Sequence, residues 1–203
     1  MGVFRRMFGP SKDEIWRQLS AEIDGRFVDG TWTSGARVQA RHGEWQVTLD
    51  TFAVSTGKVT VIYTRMRAPY VNPSGFRFTV YRKSLFSGIA RKLGMQDVEV
   101  GHQAFDEDFV IKGTDEHRLR ELFANDRIRA LIAAQPGIHF SVKDDEGWFG
   151  ADFPEGVDEL EFHVPGVIKD VERLGLLFDL FAATLDELCR TGSADERAPD
   201  VRL

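Results

Sequence analysis

The sequence predicts an α+β fold: an antiparallel β meander, as a curved sheet or half-barrel, with helices packed on it and a long C-terminal helix. Three observations carry this expectation. Apolar residues recur with a period of two from Arg26 to Arg82. A short strand, a Gly113–Thr114 turn and an amphipathic helix follow one another between Phe105 and Ala134. Val167, Val171, Leu174, Phe178, Phe181, Leu185 and Leu188 then step by four and three along one helical stripe.

Taken in order, Ser11 and Glu14 form a capping-box pair, and Ile15, Trp16, Leu19 and Ile23 share a helical face, so a first helix is expected from about 12 to 24. Three strands follow with one buried face. Trp45, Val47 and Leu49 alternate with Gln46, Thr48 and Asp50; Val59, Val61 and Tyr63 with Thr60, Ile62 and Thr64; and Phe76, Phe78 and Val80 with Arg77, Thr79 and Tyr81. Gly35, Gly43, Gly57 and the Pro73–Gly75 segment punctuate them. Ser84 to Gly94 reads as a short glycine-weakened helix or an ordered loop.

Phe109 to Lys112 forms the next strand, and Leu119, Leu122 and Phe123 make the stripe of the helix after it. Asn125 caps a second helical piece carrying Ile128, Leu131 and Ile132, which Pro136–Gly137 ends. Ile138, Phe140 and Val142 give a strand, Asp144 to Gly147 a turn, and Leu160, Phe162 and Val164 a last strand. The final stripe suits a helix laid across the sheet, with a dimerising seam as the alternative. Residues 1–10 are expected to be a flexible segment and 11–191 one domain, with 11–100 and 101–191 as conceivable contiguous lobes. Residues 192–203 read as a loose tail.

A hydrophobic fraction of 42% with 16 Phe and 4 Trp is enough to fill a core. The net charge of −6 argues against nucleic acid as a partner, which demands a dominant basic surface. One cysteine, Cys189, leaves neither a disulfide framework nor a multi-cysteine zinc site. No apolar run approaches the ~20 residues of a membrane span, and no secretory h-region follows the first arginines. A reducing, cytoplasmic setting is the expectation.

The segment Phe105–Asp106–Glu107–Asp108–Phe109–Val110–Ile111, followed by Asp115 and a helix of alternating Leu and Arg, resembles the second half of DUF3137-type bacterial proteins. In that group a phenylalanine-bracketed strand precedes an acidic turn, a helix, a strand, an Asp-Gly-type turn and another strand. The resemblance covers roughly the last 100 residues. It implies a family without an assigned activity, many of whose members carry N-terminal transmembrane helices.

No catalytic motif is present: no HExxH, G-x-S-x-G elbow, Walker loop or dinucleotide turn. No metal or cofactor is therefore expected. His139 and His163 are expected on the solvent side of their strands. His102 with Glu99, Asp106 and Asp108 is the densest acidic–histidine cluster, and Cys189 is expected to be an inert thiol. Interaction candidates are Trp148 and Phe149 after an acidic hairpin tip, and two basic–apolar regions. One holds Arg5 and Arg6; the other holds Arg82, Lys83, Arg91 and Lys92. These favour a non-catalytic protein-interaction or adaptor module, monomeric or dimeric. Its partner would be another protein, with peripheral contact to an anionic membrane as a further option. A small-molecule or lipid binder with an apolar cavity between sheet and C-terminal helix is the alternative, and an enzyme the least favoured class.

Overall fold

A computed structural model describes residues 10–32, 34–85, 97–144, 153–201 and 203. Helix α1 (Lys12–Glu22) begins at the expected capping box. The Ser11 hydroxyl accepts from the Glu14 N–H at 3.2 Å, and the Glu14 carboxylate accepts from the Ser11 N–H at 3.0 Å. The helix stops two residues short of the sequence expectation. Four strands then follow as a meander: β1 (Arg26–Val28), β2 (Arg37–His42), β3 (Trp45–Ser55) and β4 (Thr60–Val71).

The fifth strand, β5 (Phe78–Arg82), does not extend the meander. It is followed by a 3-10 turn (Lys83–Leu85), by α2 (Gln103–Asp108) and by β6 (Phe109–Gly113). Then come α3 (Glu116–Phe123), α4 (Asp126–Ala133), β7 (His139–Lys143), β8 (Val157–Pro165) and α5 (Val171–Arg190). All eight strands join one antiparallel sheet in the order β1-β2-β3-β4-β8-β7-β5-β6. Strand β5 sits between β6 and β7, and β4 pairs with β8, so the sheet runs unbroken through both segments considered as contiguous lobes.

Register sorts the side chains. One transverse row takes a residue from every strand: Phe27, Val38, Leu49, Met66, Phe162, Phe140, Val80 and Ile111. All are apolar, and they belong to or pack against the core beneath the helices. The adjacent row, pointing the other way, is Arg26, Gln39, Thr48, Arg67, Glu161, Ser141, Thr79 and Lys112, polar at every strand. Successive strand residues face opposite sides of a sheet, so a single register fixes both rows.

The helices close the apolar face. Leu174, Leu177, Phe181, Leu185 and Leu188 of α5 are buried, and Phe181 meets Phe140 edge-on with ring centroids 5.6 Å apart. The stripe expected on α5 is thus used within the chain. Asp115, Asn125 and Asp170 cap α3, α4 and α5 by accepting backbone N–H groups.

The expected face of β4 and the expected loose tail require correction. Val61 and Tyr63 pair with Val54 and Phe52 on the face opposite the helices; from β4 it is Met66, Ala68 and Tyr70 that are buried in the core cluster. The strand is long enough for both parities to carry apolar residues, so alternation read at its start picks the wrong face. The tail is not loose at its beginning. Gly192 takes φ of +69°, which turns the chain back so that Ser193 and Ala194 N–H groups reach Leu188 O at 2.7 and 3.0 Å. Asp195 N–H then bonds Val71 O at 3.0 Å.

Phe76, Phe78 and Val80 are buried as expected, with Phe78 against Phe76, Phe123 and Phe140 at 5.7 to 6.0 Å. Thr79 and Tyr81 on the other face are buried too, so β5 has no solvent side. Truncation of Phe78 to Ala is predicted to cost roughly 3–5 kcal/mol, because three rings lose their partner at once. Chemical denaturation checks this; an unchanged midpoint contradicts the packing.

Candidate functional site

The polar face of the sheet concentrates the ionisable groups. Asp50 on β3 accepts a bidentate pair from Arg65 at 2.9 and 2.9 Å and a third bond from Arg67 at 2.7 Å. Across β8, Glu161 accepts from Lys143 and lies 2.8 Å from His163 Nδ1. His163 stacks on His139 of β7 with centroids 4.4 Å apart. Glu159 is fully buried, with Arg67 4.0 Å away and, among the described residues, no hydrogen bond to either carboxylate oxygen.

Environment drives these neighbours in opposite directions. Burial pushes the Glu159 carboxyl from 4.5 up to about 7, with Arg67 opposing and Glu161 adding to the rise. Burial acts the same way on Glu161, but hydrogen bonds from His163 and Lys143 outweigh it and hold that group at about 2. Burial, reinforced by His163 and Lys143, pushes His139 down to about 3. A carboxyl poised near neutrality can exchange a proton, yet Glu159 has no exposed surface through which a substrate could reach it. The cluster acts on stability. His139 and His163 do lie opposite the apolar face, but both are half-buried and not on an open solvent side.

The other candidates serve the scaffold. Arg82 bonds Asp108 at 3.2 Å and the carbonyls of Ala133 and Gln135, and its guanidinium lies over the Phe109 ring at 4.6 Å. Lys83 donates to Asp106 O at 2.7 Å. Both cations of that region within the described residues therefore bind their own chain. Arg5, Arg6, Arg91, Lys92, Trp148 and Phe149 lie outside the described residues. Around His102, the Asp106 carboxylate accepts the N–H groups of Val100, Gly101 and His102 at 2.9 to 3.0 Å. His102 is the N-cap of helix α2, which holds Asp106 and Asp108. No group of His, Cys, Asp and Glu able to hold a metal occurs among the described residues. Cys189 lines an open groove with His42, Trp45 and Asp186, but burial pushes its thiol up, away from the reactive thiolate.

A different feature stands out at one end of the sheet. Strands β3 and β4 run past their neighbours. Pairing with β2 starts at Leu49, and pairing with β8 ends at Thr64, whereas the hairpin continues through Phe52–Tyr63, Ala53–Ile62, Val54–Val61 and Ser55–Thr60. Gly57, at φ +82°, supplies the left-handed residue of the tip turn, which the Thr56 N–H closes onto Val59 O at 3.0 Å. Among the described residues the exposed large apolar side chains are Trp32, Val54, Val59 and Ile62. Three of them are on this arm, at 41%, 59% and 49% exposure. Trp32 is in the neighbouring β1–β2 loop, where a Cβ on Gly35 would lie 3.6 Å from Thr51 Oγ1 of β3. Period-two reading assigned this run to the core; the signal it missed was the charge pattern, since Lys58 is the only charged residue between Asp50 and Arg65.

The fold is thus that of an α+β protein whose single curved antiparallel sheet carries helices on one face and ends in a protruding hairpin. The crystal structure of the mycobacterial trehalose monomycolate transport factor A shares it, with a TM-score of 0.53 at 10% sequence identity over 87% of this chain and 94% of that one. No protein-family model matches the chain, and no curated protein sequence does. No helix among the described residues is long and apolar enough to cross a membrane.

The raised Glu159 pKa has a definite sign. The folded state holds a proton that the unfolded chain releases, so its stabilising effect is complete below pH 4.5 and is lost as pH rises through about 7. Relative to the parent, Glu159→Gln is predicted to gain on the order of 2–3 kcal/mol between pH 5 and pH 8. Urea midpoints at the two pH values test this, and a pH-independent difference between parent and variant contradicts it.

Proposed function

We propose that this protein is a non-catalytic interaction module that works by docking, with the β3–β4 arm and the Trp32 loop as its contact surface. The observation that carries this is the gathering of Trp32, Val54, Val59 and Ile62 at one end of a sheet whose two faces are otherwise occupied. Helices fill the apolar face, and ion pairs fill the polar one. Scattered exposed apolar residues need no explanation, but exposed ones clustered on a projection mark a contact site. An isolated two-stranded hairpin is marginal in water, so a partner that covers it also stabilises it. Likeness of fold to a transport factor supports an accessory role over a catalytic one. A cleft between α5 and strands β2 and β3, lined by Ala40, Arg41, His42, Val47, Gly175 and Phe178, is bordered by charged residues and is not a wholly apolar cavity.

Photo-crosslinking in living cells tests the docking surface. A photoreactive residue at Val59 or Ile62 is predicted to give one dominant adduct, several-fold above the same residue at exposed His117 on α3. Equal yields at the three positions contradict docking through the arm.

A further inference from the structure

We infer that the arm docks onto an anionic phospholipid surface, with its tip seated in the headgroup region. This rests on the arm being the contact surface, and it names the partner. The first support is two-sidedness. Val54 shares its face with Val61 and Phe52, while Ile62 and Ala53 point to the opposite face, and Val59 projects from the turn. A folded protein partner covers one face of a hairpin; a fluid lipid interface surrounds both.

Charge is the second support. Lys58 stands alone at the tip of an otherwise uncharged arm, suited to anionic headgroups. The acidic groups at the base are offset: Asp50 is held by Arg65 and Arg67, and Asp29, which opens the Trp32 loop, is paired with Arg17. Among the described residues, a negative surface therefore meets Lys58, which has no ion pair, first and paired carboxylates behind it.

Reach is the third. Three cross-strand pairs beyond the Tyr63–Gly166 bridge, at ~3.4 Å per residue, give a projection of roughly 10 Å. That suits the ~5–10 Å depth of interfacial elements and falls well short of the ~30 Å hydrocarbon core. Backbone chemistry sets the same limit. Past the Gly166 N–H bond to Ile62 O at 2.7 Å, the outer edges of the hairpin have no neighbouring strand among the described residues. Unpaired peptide groups are tolerated among hydrated headgroups but not in hydrocarbon.

The test is co-sedimentation of the full chain with phosphatidylglycerol or phosphatidylcholine vesicles, at low and physiological salt. The parent is expected to pellet with phosphatidylglycerol in preference to phosphatidylcholine. Lys58→Ala should weaken phosphatidylglycerol binding about fivefold and leave phosphatidylcholine unaffected. The triple variant Val54→Ser, Val59→Ser, Ile62→Ser should lose at least tenfold on phosphatidylglycerol. These positions are exposed, and an unchanged thermal midpoint confirms folding. A parent that stays in the supernatant with both lipids overturns the inference; so does binding that survives the triple variant but is lost on Arg5→Ala/Arg6→Ala. A dominant protein adduct at Val59 in the crosslinking experiment, with no vesicle binding, overturns the lipid partner while leaving the docking arm intact. Absence of both removes the two together.

Discussion

Everything in this molecule depends on one register, shared by eight strands, that lays a wholly apolar row beside a wholly polar one. Phe27 through Ile111 builds the floor on which the helices pack, and Arg26 through Lys112 builds the opposite face. A slip of one residue in β8 would place Glu161 beneath α5 and Phe162 among the arginines. Burying an unpaired carboxylate costs several kcal/mol, and exposing the phenylalanine forfeits about 1.5–3 kcal/mol more. The polar face thus contributes to specificity: its charges, paired across neighbouring strands, make the alternative registers worse.

That polar face also limits what the sheet can do. Asp50 and Glu161 are paired with neighbouring bases, and Glu159 at its centre is sealed from solvent. The edges are closed as well. At β6, Val98 N–H bonds Ile111 O at 2.8 Å, and at the other end β1 is three residues long with Arg26 at its start. Short, charged or covered edges resist strand addition. With faces and edges occupied, the part of β3 and β4 that outruns the sheet is the surface on which the proposed docking rests.

Much of this was legible in the sequence, and the failures have physical causes. The capping pair Ser11–Glu14, the Asn125 cap and the α5 stripe are local signals, and they locate α1, α4 and α5 closely. Alternation identified the strands but not their neighbours: nothing local to Phe76–Val80 says that it pairs with β6 and β7 rather than β4. Face assignment failed at Val61 and Tyr63 because an arm beyond the sheet keeps the alternation while losing the core. His139 and His163 read as solvent-side residues because their partner, Glu161, comes close only through pairing of β7 with β8. The tail's composition hid its anchor, which consists of backbone bonds to Leu188 and Val71.

Hydrogen exchange on the intact chain, with and without phosphatidylglycerol vesicles, tests most directly the claim that contact is left to the arm. Amides from Thr51 to Thr64 that face outward should exchange fast in the free protein and slow on vesicles, while those of β5, β7 and β8 keep the same protection in both. Protection that instead appears on α5 or along β5, with the arm unchanged, would contradict the account.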